Sequence, residues 1–373
     1  MTTSAVFPDE LRRMMTEQLI ATGALRSQRW IDAFSCVPRH MFVPKFTVRA
    51  KGGLHDYGQP DPMWLTAAYW DVSLLTQFDA SGVATSSSTR PSLMATMLES
   101  LDVADGDQVL EIGVGTGYNA ALLAHRLGDE NVVSVDIDPD LVNAARDRLE
   151  LAGCTPELLA GDGMAGCAHR APYDRLLATC GVGRIPNSWR EQVRSGGIIV
   201  ANLGFGVMRL VVDRDHRAEG RFLPELAAFM VARPDTHSTN ATSQEHTNAV
   251  LTSTGDTREI SLPTGLGGDM AQFLPSLIHP TVKTIVLKND KGQEMRCLWE
   301  PDTSSWARIT LLDVRTARLE HGGPRDLWAE REPLLNDWVS AGRPNVARYG
   351  LTVEADGAHT LWLDTPGNRS WPL

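Results

Sequence analysis

A glycine-rich turn between an apolar strand and a helix constrains the fold more than any other stretch of this chain. Residues 109–124 read VLEIGVGTGYNAALLA, so a short apolar run leads into three glycines and then into a helix of Ala and Leu. Glycine tolerates positive φ, and the first N–H groups of a helix are unpaired, so this turn predicts a ligand site above the strand. Tyr118 stands where the dinucleotide fingerprint G-x-G-x-x-G has its third glycine, which disfavours a nicotinamide cofactor.

Acidic residues lie on both sides of this turn. Glu111 precedes the first glycine, Asp136 ends the next apolar run, and Asp162 lies in the short loop 160–163. A carboxylate at the end of the second strand is placed to accept hydrogen bonds from ribose hydroxyls. Each carboxylate alone is equally explained as a turn or cap residue, but together they favour a cationic nucleoside without phosphates, such as S-adenosylmethionine. The candidate cofactor-binding residues are Glu111, Gly113, Gly115, Gly117, Tyr118, Asn119, Asp136, Ile137, Asp162 and Gly163.

Strand and helix patterns alternate from Gly106 onward, which predicts a parallel sheet with helices on both faces. Ligands bind such sheets at the carboxyl ends of the strands, where Gly113, Asp136, Asp162 and Gly181 fall. The predicted strands are 108–112, 132–137, 157–160, 174–180 and 197–203, with closing strands at 208–213 and 227–232, and the predicted helices are 118–127, 139–152 and 187–194.

The segment before the sheet predicts helices at 9–23, 27–36 and 93–101, with irregular structure at 38–44 and 51–88. A run of hydroxyl residues, 85–89, precedes the third helix. Ser88, Thr89 or Ser92 is expected to cap that helix. Alternatively, one of these hydroxyls faces the reactive end of the cofactor and binds the substrate.

The end of the chain has a different character. Residues 233–248 contain no large aliphatic side chain and predict a linker. Beyond them we expect antiparallel strands at 282–287, 294–299 and 307–312, a helix at 325–341, and a hairpin that turns at Asp356-Gly357. Six tryptophans there favour a small core over a peptide-binding face: Trp299, Trp306, Trp328, Trp338, Trp362 and Trp371. The expected domains are 1–105, 106–232, a linker at 233–249, and 250–373.

Composition limits the classes of ligand and the cellular compartment that we expect for this chain. A formal net charge of −11 argues against nucleic acid as a ligand. Five cysteines without a C-x-x-C pair fit a reducing compartment and indicate neither a disulfide framework nor a metal site. The start of the chain has no apolar signal segment, and no apolar run approaches membrane-spanning length, so we expect a cytoplasmic protein.

Several separate stretches resemble the protein-L-isoaspartate O-methyltransferase family. They are VPRH and FVP in 37–44, AYWD at 68–71, TRP at 89–91, LEIG and GTGY in 110–118, GDG at 161–163 and GG at 196–197. The resemblance implies a Rossmann-like methyltransferase sheet, with an N-terminal helical segment and a C-terminal, mainly β domain added to it, and S-adenosylmethionine as cofactor. It implies Thr89 and Ser88 as catalytic residues, and Ser87, Arg90, Tyr69 and His40 as substrate-binding residues. The first position of the Ser/Thr-x-Pro element is usually Ser in repair enzymes, so Thr89 suggests a different acceptor.

The chain continues for well over a hundred residues beyond the sheet. It resembles a longer branch of the family that is associated with ATP-grasp peptide maturation, in tail features at 327–328, 342–344 and 349–351. Members of that branch methylate an aspartate in a ribosomally made, ester-cross-linked peptide, a graspetide, and the ester then collapses to an aspartimide. A modified precursor peptide is therefore the expected partner, together with the ATP-grasp ligase pathway. General isoaspartyl repair and a non-catalytic role in binding cofactor and peptide are the alternatives.

Overall fold

The structure is a computed structural model that describes residues 7–50, 52–233, 243–262, 270–289 and 291–373. Its helices are α1 (Pro8–Ala21), α2 (Gln28–Cys36), α3 (Arg39–Phe42), α4 (Trp64–Ala67), α5 (Pro91–Leu101), α6 (Tyr118–Leu127), α7 (Pro139–Leu151), α8 (Asn187–Gln192), α9 (Ser243–Thr252), α10 (Met270–Ile278) and α11 (Leu327–Ser340). Its strands are β1 (Lys45–Ala50), β2 (Gly53–Gly58), β3 (Leu74–Phe78), β4 (Ala84–Ser88), β5 (Val109–Ile112), β6 (Val132–Asp136), β7 (Glu157–Ala160), β8 (Tyr173–Val182), β9 (Val193–Leu203), β10 (Gly206–Val212), β11 (Ala218–Leu226), β12 (Asp256–Ser261), β13 (Lys283–Lys288), β14 (Glu294–Glu300), β15 (Ser305–Leu311), β16 (Thr316–Gly322), β17 (Tyr349–Val353), β18 (His359–Leu363) and β19 (Ser370–Pro372).

The largest sheet has ten strands in the order β19-β18-β17-β11-β10-β9-β8-β5-β6-β7. Strands β7, β6, β5, β8 and β9 run parallel, which confirms the predicted Rossmann-like half of the sheet. Successive side chains point to opposite faces, so Val109 and Leu177 enter one core while Leu110 and Leu176 enter the other. Helices α2, α5 and α6 cover the first face, whereas α8 and α10 contribute to the second.

The N-terminal segment is more regular than the sequence predicts. Residues 51–88 were expected to be irregular, but β2, β3 and β4 form a four-stranded antiparallel sheet with β1, in the order β2-β1-β3-β4. The prediction failed because these strands are short, β3 meets β1 at a single register pair, and β3 and β4 pair with register shifts. The predicted irregular stretch 38–44 also contains one helical turn, α3.

The strand predicted at 227–232 is also wrong, because the closing strand is β11 at 218–226. Residues 227–232 follow it as an extended segment that makes an isolated parallel bridge between Val231 and Gly181. This segment passes along the end of β8, at the edge where the ligand site was expected.

The C-terminal chain divides between two sheets. Strands β12 to β16 form their own sheet in the order β12-β16-β15-β14-β13, whereas the predicted hairpin, β17 and β18, joins the ten-stranded sheet through β11. Helix α9 occupies 243–252, so the end of the predicted linker is helical, and residues 234–242 lie outside the described residues. Four of the six tryptophans are more than nine-tenths buried, as the core hypothesis expects: Trp306, Trp328, Trp338 and Trp362. Among the residues that the structure describes, every helix is too short or too polar to cross a membrane.

Candidate active site

A cavity of about 280 Å³ lies at the carboxyl ends of β5, β6 and β8. The glycine turn and the residues after β6 form its floor, the hydroxyl-rich end of β4 forms one wall, and the 228–233 segment forms the other. The predicted site residues that line it are Ser87, Ser88, Thr89, Gly113, Gly115, Tyr118, Asn119, Asp136, Ile137, Asp162 and Gly163. The fold therefore brings together residues that are up to about 80 positions apart in the sequence.

The glycine turn brings bare backbone to the cavity. Gly113 has a φ of +100°, and a Cβ on it would lie 2.6 Å from Oγ1 of Thr179. That hydroxyl donates to the carbonyl of Gly113 at 2.9 Å, so β8 fixes the turn from the side. Gly117 has a φ of +88° where α6 begins, and its Cβ position is 3.1 Å from Ala145 on α7. Any larger residue at these two positions strains the backbone and displaces a packed neighbour.

Asp136 is the carboxylate that the fold places best for a ligand. Its side chain accepts hydrogen bonds from the backbone N–H of Gly115 at 2.9 Å and of Asp138 at 3.1 Å. Burial raises the pKa of Asp136, and these two N–H groups oppose that rise. A half-buried carboxylate held from behind by backbone donors keeps its remaining lone pairs for hydroxyl groups in the cavity.

Glu111 has a different position from the one expected. It is fully buried beneath the turn and does not line the cavity. Asn119 donates to it at 2.6 Å, and the Ser134 hydroxyl donates to its other oxygen. Burial raises the pKa of Glu111 to about 7, while both hydrogen bonds act to lower it. Glu111 therefore orients Asn119 from below instead of contacting the ligand.

Asn119 carries the clearest unsatisfied atom of the site. Its Nδ2 is used by Glu111, and within the described residues its buried Oδ1 has no hydrogen-bond partner. Asn119 lines the cavity, and a buried acceptor without a donor is unfavourable unless a bound group supplies one. The site thus offers an amide acceptor and two lining carboxylates, Asp136 and Asp162, which suits a positively charged donor-rich ligand.

A buried arginine holds the hydroxyl wall in place. Arg39 on α3 is fully buried, and its guanidinium donates to the carbonyls of Ser88 at 3.5 Å and Thr89 at 3.1 Å. It also donates to three carbonyls of the preceding segment, those of Ala68, Trp70 and Val72. The sequence includes this residue in VPRH without giving it a role. Because Arg39 donates to five backbone carbonyls, including those of Ser88 and Thr89, it holds these two residues in position.

Comparison with known proteins shows which family this chain belongs to. The sequence profile of the protein-L-isoaspartate(D-aspartate) O-methyltransferase family matches residues 60–226. The protein-L-isoaspartate O-methyltransferase of Methanopyrus kandleri is 36% identical over 196 residues, which cover 52% of this chain and 76% of that protein. Protein-L-isoaspartate O-methyltransferase 1 of Archaeoglobus fulgidus is 34% identical over 211 residues, 56% of this chain and 87% of that protein. The chain belongs to the protein-L-isoaspartate O-methyltransferase family.

A solved structure of a protein-L-isoaspartate O-methyltransferase shares the fold. It aligns with a TM-score of 0.56 at 23% identity, over 95% of this chain and all of that chain. The family identifies the chain as a carboxyl O-methyltransferase and S-adenosylmethionine as its methyl donor. The glycine turn, Asp136 and Asn119 fit that donor, because they combine bare backbone with acceptors for hydroxyl and ammonium groups.

Besides Glu111, four predicted residues of this methyltransferase lie outside the cavity. Tyr69 is 5% exposed and its hydroxyl contacts Nδ1 of His40 at 2.7 Å, beside a separate open depression that His40 lines. The guanidinium of Arg90 pairs with Glu225 at the end of β11. Gly117 does not line the cavity; it is the N-cap of α6, where the backbone has a positive φ. Tyr69, His40 and Arg90 are thus not gathered with Ser87, Ser88 and Thr89.

The capping hypothesis is also wrong for this helix of the methyltransferase. Helix α5 begins at Pro91, its N-cap is Arg90, and no side chain of Ser88, Thr89 or Ser92 caps it. Asp71 accepts from the N–H of Ser92 at 2.8 Å instead. Ser88 ends β4 and lines the cavity wall together with Ser87 and Thr89.

Sequence reasoning missed most of the apolar lining. Met94 on α5 and the Phe229-Met230 pair line the cavity, as does Cys180 near the end of β8. Burial raises the pKa of Cys180 to about 12, so this thiol stays protonated. Cys180 was detectable at the end of a predicted strand, but nothing local in the sequence places Phe229 and Met230 opposite the glycine turn.

Proposed function

We propose that this protein transfers a methyl group from S-adenosylmethionine to the free α-carboxylate of an isoaspartyl residue in a peptide. The observation that carries the proposal is the cavity in which the hydroxyl wall of Ser87, Ser88 and Thr89 faces the glycine turn. Family membership supports the carboxylate as acceptor. When bound, the methyl donor supplies an electrophilic methyl group.

The residues of the site suit a reaction that needs position more than proton transfer. A peptide carboxylate is already ionised at neutral pH, so it requires no general base to become a nucleophile. Thr89 and its neighbours are neutral donors, which hold an anion without repelling it. Asp136 and Asn119 orient the donor from the opposite side, and Met94, Phe229 and Met230 exclude water from the reacting groups.

A second candidate is methylation of an aspartate in a graspetide, followed by closure to an aspartimide. Thr89 in place of the usual Ser favours it, together with the tail features shared with the longer branch. The presence of the C-terminal region does not discriminate, because the solved isoaspartate methyltransferase aligns over 95% of this chain. The two candidates share the cofactor and the chemistry and differ only in the peptide.

Three peptides distinguish these functions: an isoaspartyl peptide, the matched aspartyl peptide, and an ester-cross-linked precursor. Each is incubated with the full chain and S-adenosylmethionine and followed by intact mass. Methylation of the isoaspartyl peptide far above the aspartyl one supports the first candidate. Addition of a methyl group and loss of methanol on the cross-linked peptide alone supports the second. Tight binding of cofactor and peptides without any methyl transfer contradicts both.

Thr89→Val tests the hydroxyl wall directly. We expect kcat to fall about tenfold to a hundredfold, since one hydrogen bond to a charged group is lost. The affinity for S-adenosylhomocysteine, measured by calorimetry, should stay within about twofold. Thr96→Val is the matched control, because the Thr96 hydroxyl bonds to Ser92 within α5 and lies outside the cavity. Unchanged turnover in Thr89→Val would mean that the Thr89 hydroxyl takes no part in methyl transfer.

A further inference from the structure

A second cavity, of about 360 Å³, lies behind the active site, between the ten-stranded sheet and the C-terminal region. Helices α10 and α11 and strand β13 contribute one side of it, and the ends of β8 and β9 contribute the other. Ala228, Phe229 and Val231 line both cavities, so a single extended segment separates them. We call this second cavity the rear cleft.

The segment between the two cavities is firmly attached to the sheet. Asn202 on β9 is 1% exposed, donates to the carbonyl of Ala227 at 2.8 Å, and accepts from the N–H of Phe229 at 3.2 Å. Gly181 exchanges hydrogen bonds with Met230 and Ala232, each at 2.8 Å. The rear cleft is therefore a fixed neighbour of the active site.

Arg331 is the unusual residue of the rear cleft. It is 8% exposed, lines the cleft, and donates one hydrogen bond, at 3.1 Å, to the Thr284 hydroxyl. Across the described ranges it forms no ion pair, because the adjacent Glu330 is held by Arg325 through two hydrogen bonds at 2.6 and 3.0 Å. Burial lowers the pKa of Arg331 to about 10, which leaves it cationic at neutral pH.

The other ionisable groups of the cleft do not neutralise this charge. Burial lowers the pKa of His279, which favours its neutral form. Lys283 is exposed and adds a second positive charge at the cleft. Arg296 lies close enough to lower the pKa of Arg331 further, and it pairs with Glu294. Glu330 also lines the cleft, but its carboxylate is paired with Arg325, so Arg331 is a buried lining charge that has no ion-pair partner among the described residues.

We propose that the rear cleft binds a second carboxylate of the peptide substrate, with Arg331 and Thr284 as its ligands. A buried cation without an anionic partner is unfavourable, and a carboxylate that accepts both N–H donors of a guanidinium removes that penalty. Ala228, Phe229 and Val231 line both cavities, so this subsite adjoins the active site. The inference rests on the proposed function, since it assumes a peptide in the active site, and it makes acidic flanking sequence a determinant of specificity.

Arg331→Met tests the subsite in the full-length protein. The probes are isoaspartyl peptides with an amidated C-terminus and one Glu at successive positions beside the isoaspartate, each paired with the same peptide carrying Gln. For the wild-type protein we expect one Glu position at which KM is about tenfold lower than in the Gln peptide. In Arg331→Met that preference should vanish, whereas kcat on the Gln peptide stays the same. A Gln peptide with a free C-terminus tests whether a terminal carboxylate serves equally well.

Two further measurements keep the inference falsifiable. Thermal unfolding should give an unchanged or raised Tm for Arg331→Met, because a buried charge without an ion-pair partner is removed. A lowered Tm, together with equal losses of activity on the Glu and Gln peptides, would mean that Arg331 has a purely structural role. Fluorescence anisotropy of labelled Glu and Gln peptides reads the subsite without turnover. If the wild-type protein transfers no methyl but still prefers the Glu peptide, the proposed function fails and the subsite stands. Equal binding of both peptides at every position overturns the subsite.

The matched control is Arg318→Met. Arg318 lies exposed on β16, in the same C-terminal sheet, and is not part of the rear cleft. Arg318→Met removes one positive charge from the same region. If this variant also lost the preference for the Glu peptide, general electrostatics would explain the effect and a defined subsite would be contradicted.

Discussion

One buried arginine supports the hydroxyl wall of the active site and another lines the rear cleft, and the two arginines have opposite surroundings. Arg39 is fully buried and donates to five backbone carbonyls between 3.0 and 3.5 Å. Arg331 is 8% exposed and donates to one hydroxyl. Neither forms an ion pair with a described carboxylate, although Asp71 acts electrostatically on Arg39. The difference is the number of acceptors that the fold itself supplies.

That number separates a structural arginine from a binding one. Desolvating a guanidinium is costly wherever it happens, and burial lowers the pKa of both residues to about 10. Around Arg39 the backbone offsets the cost at the time of folding, and the result is a fixed wall. Around Arg331 the fold supplies one acceptor, and among the described residues no nitrogen of this side chain is buried without a partner, so its remaining donors stay open to the cleft and to a ligand carboxylate. Stability should therefore depend on Arg39, and specificity on Arg331.

The largest effect is expected for Arg39→Met. The substitution leaves five carbonyls without their donor, so we expect the free energy of unfolding to fall by about 3–5 kcal/mol, measured by urea denaturation. Arg39→Lys should recover only part of the loss, because an ammonium cannot reach acceptors on several sides as a guanidinium does. If Arg39→Met were no less stable than Arg331→Met, the number of acceptors would not explain the difference between the two sites.

The sequence was most informative where local pattern and tertiary structure agree. The strand-turn-helix at 109–127 and the strand at 157–160 follow from apolar periodicity and glycine spacing, and the predicted bounds are close to those observed. Asp136 and Asp162 were recognisable for the same reason, because they fall at the ends of predicted strands, whereas Thr89 was identified through the family resemblance.

Elements that depend on distant partners were missed. Strands β2 to β4 are short, and they form because β2 and β3 pair with β1 and β4 pairs with β3. The return of β17 to the main sheet is fixed by its register with β11, which no local pattern encodes. The role of Arg39 depends on carbonyls as far as 50 residues away, and the rear cleft depends on three segments meeting. Pairing between distant residues is thus the part that the sequence does not show.

A buried carboxylate provides the acidic counterpart of the two arginines. The pKa of Glu111 is raised by burial to about 7, so between about pH 4.5 and 7 the folded chain binds more protons than the unfolded chain. Its contribution to the free energy of unfolding should therefore decrease as pH rises through that window, by about 3 kcal/mol in total. Glu111→Gln should remove this decrease, as measured by urea denaturation at pH 5 and pH 8, and should be the more stable protein at pH 8.

Glu300→Gln is the control for Glu111. Glu300 is also buried, but the Thr303 hydroxyl and neighbouring N–H groups donate to it and lower its pKa. It is thus ionised at both pH values, and its replacement should leave the change between pH 5 and pH 8 as in the wild type. If the wild type were equally stable at pH 5 and pH 8, and Glu111→Gln were too, the two hydrogen bonds from Asn119 and Ser134 would fully offset the effect of burial on the pKa of Glu111.

The smallest effect is expected where the two ions are only partly buried. Arg90 and Glu225 pair between the start of α5 and the end of β11, and their side chains are 35% and 32% exposed. Water already solvates both ions, so a double-mutant cycle of Arg90→Gln and Glu225→Gln should give a coupling below about 1 kcal/mol, weaker still in high salt. KM for the peptide should change by less than about threefold, because neither side chain lines the active-site cavity. A tenfold fall in kcat for Arg90→Gln alone, with Glu225→Gln active, would instead mean that Arg90 leaves Glu225 to hold the acceptor carboxylate, as the sequence hypothesis has it. In that case a half-buried arginine with a partner in the folded chain would belong with Arg331 among the binding residues, and the number of acceptors that the fold supplies would no longer separate the two kinds.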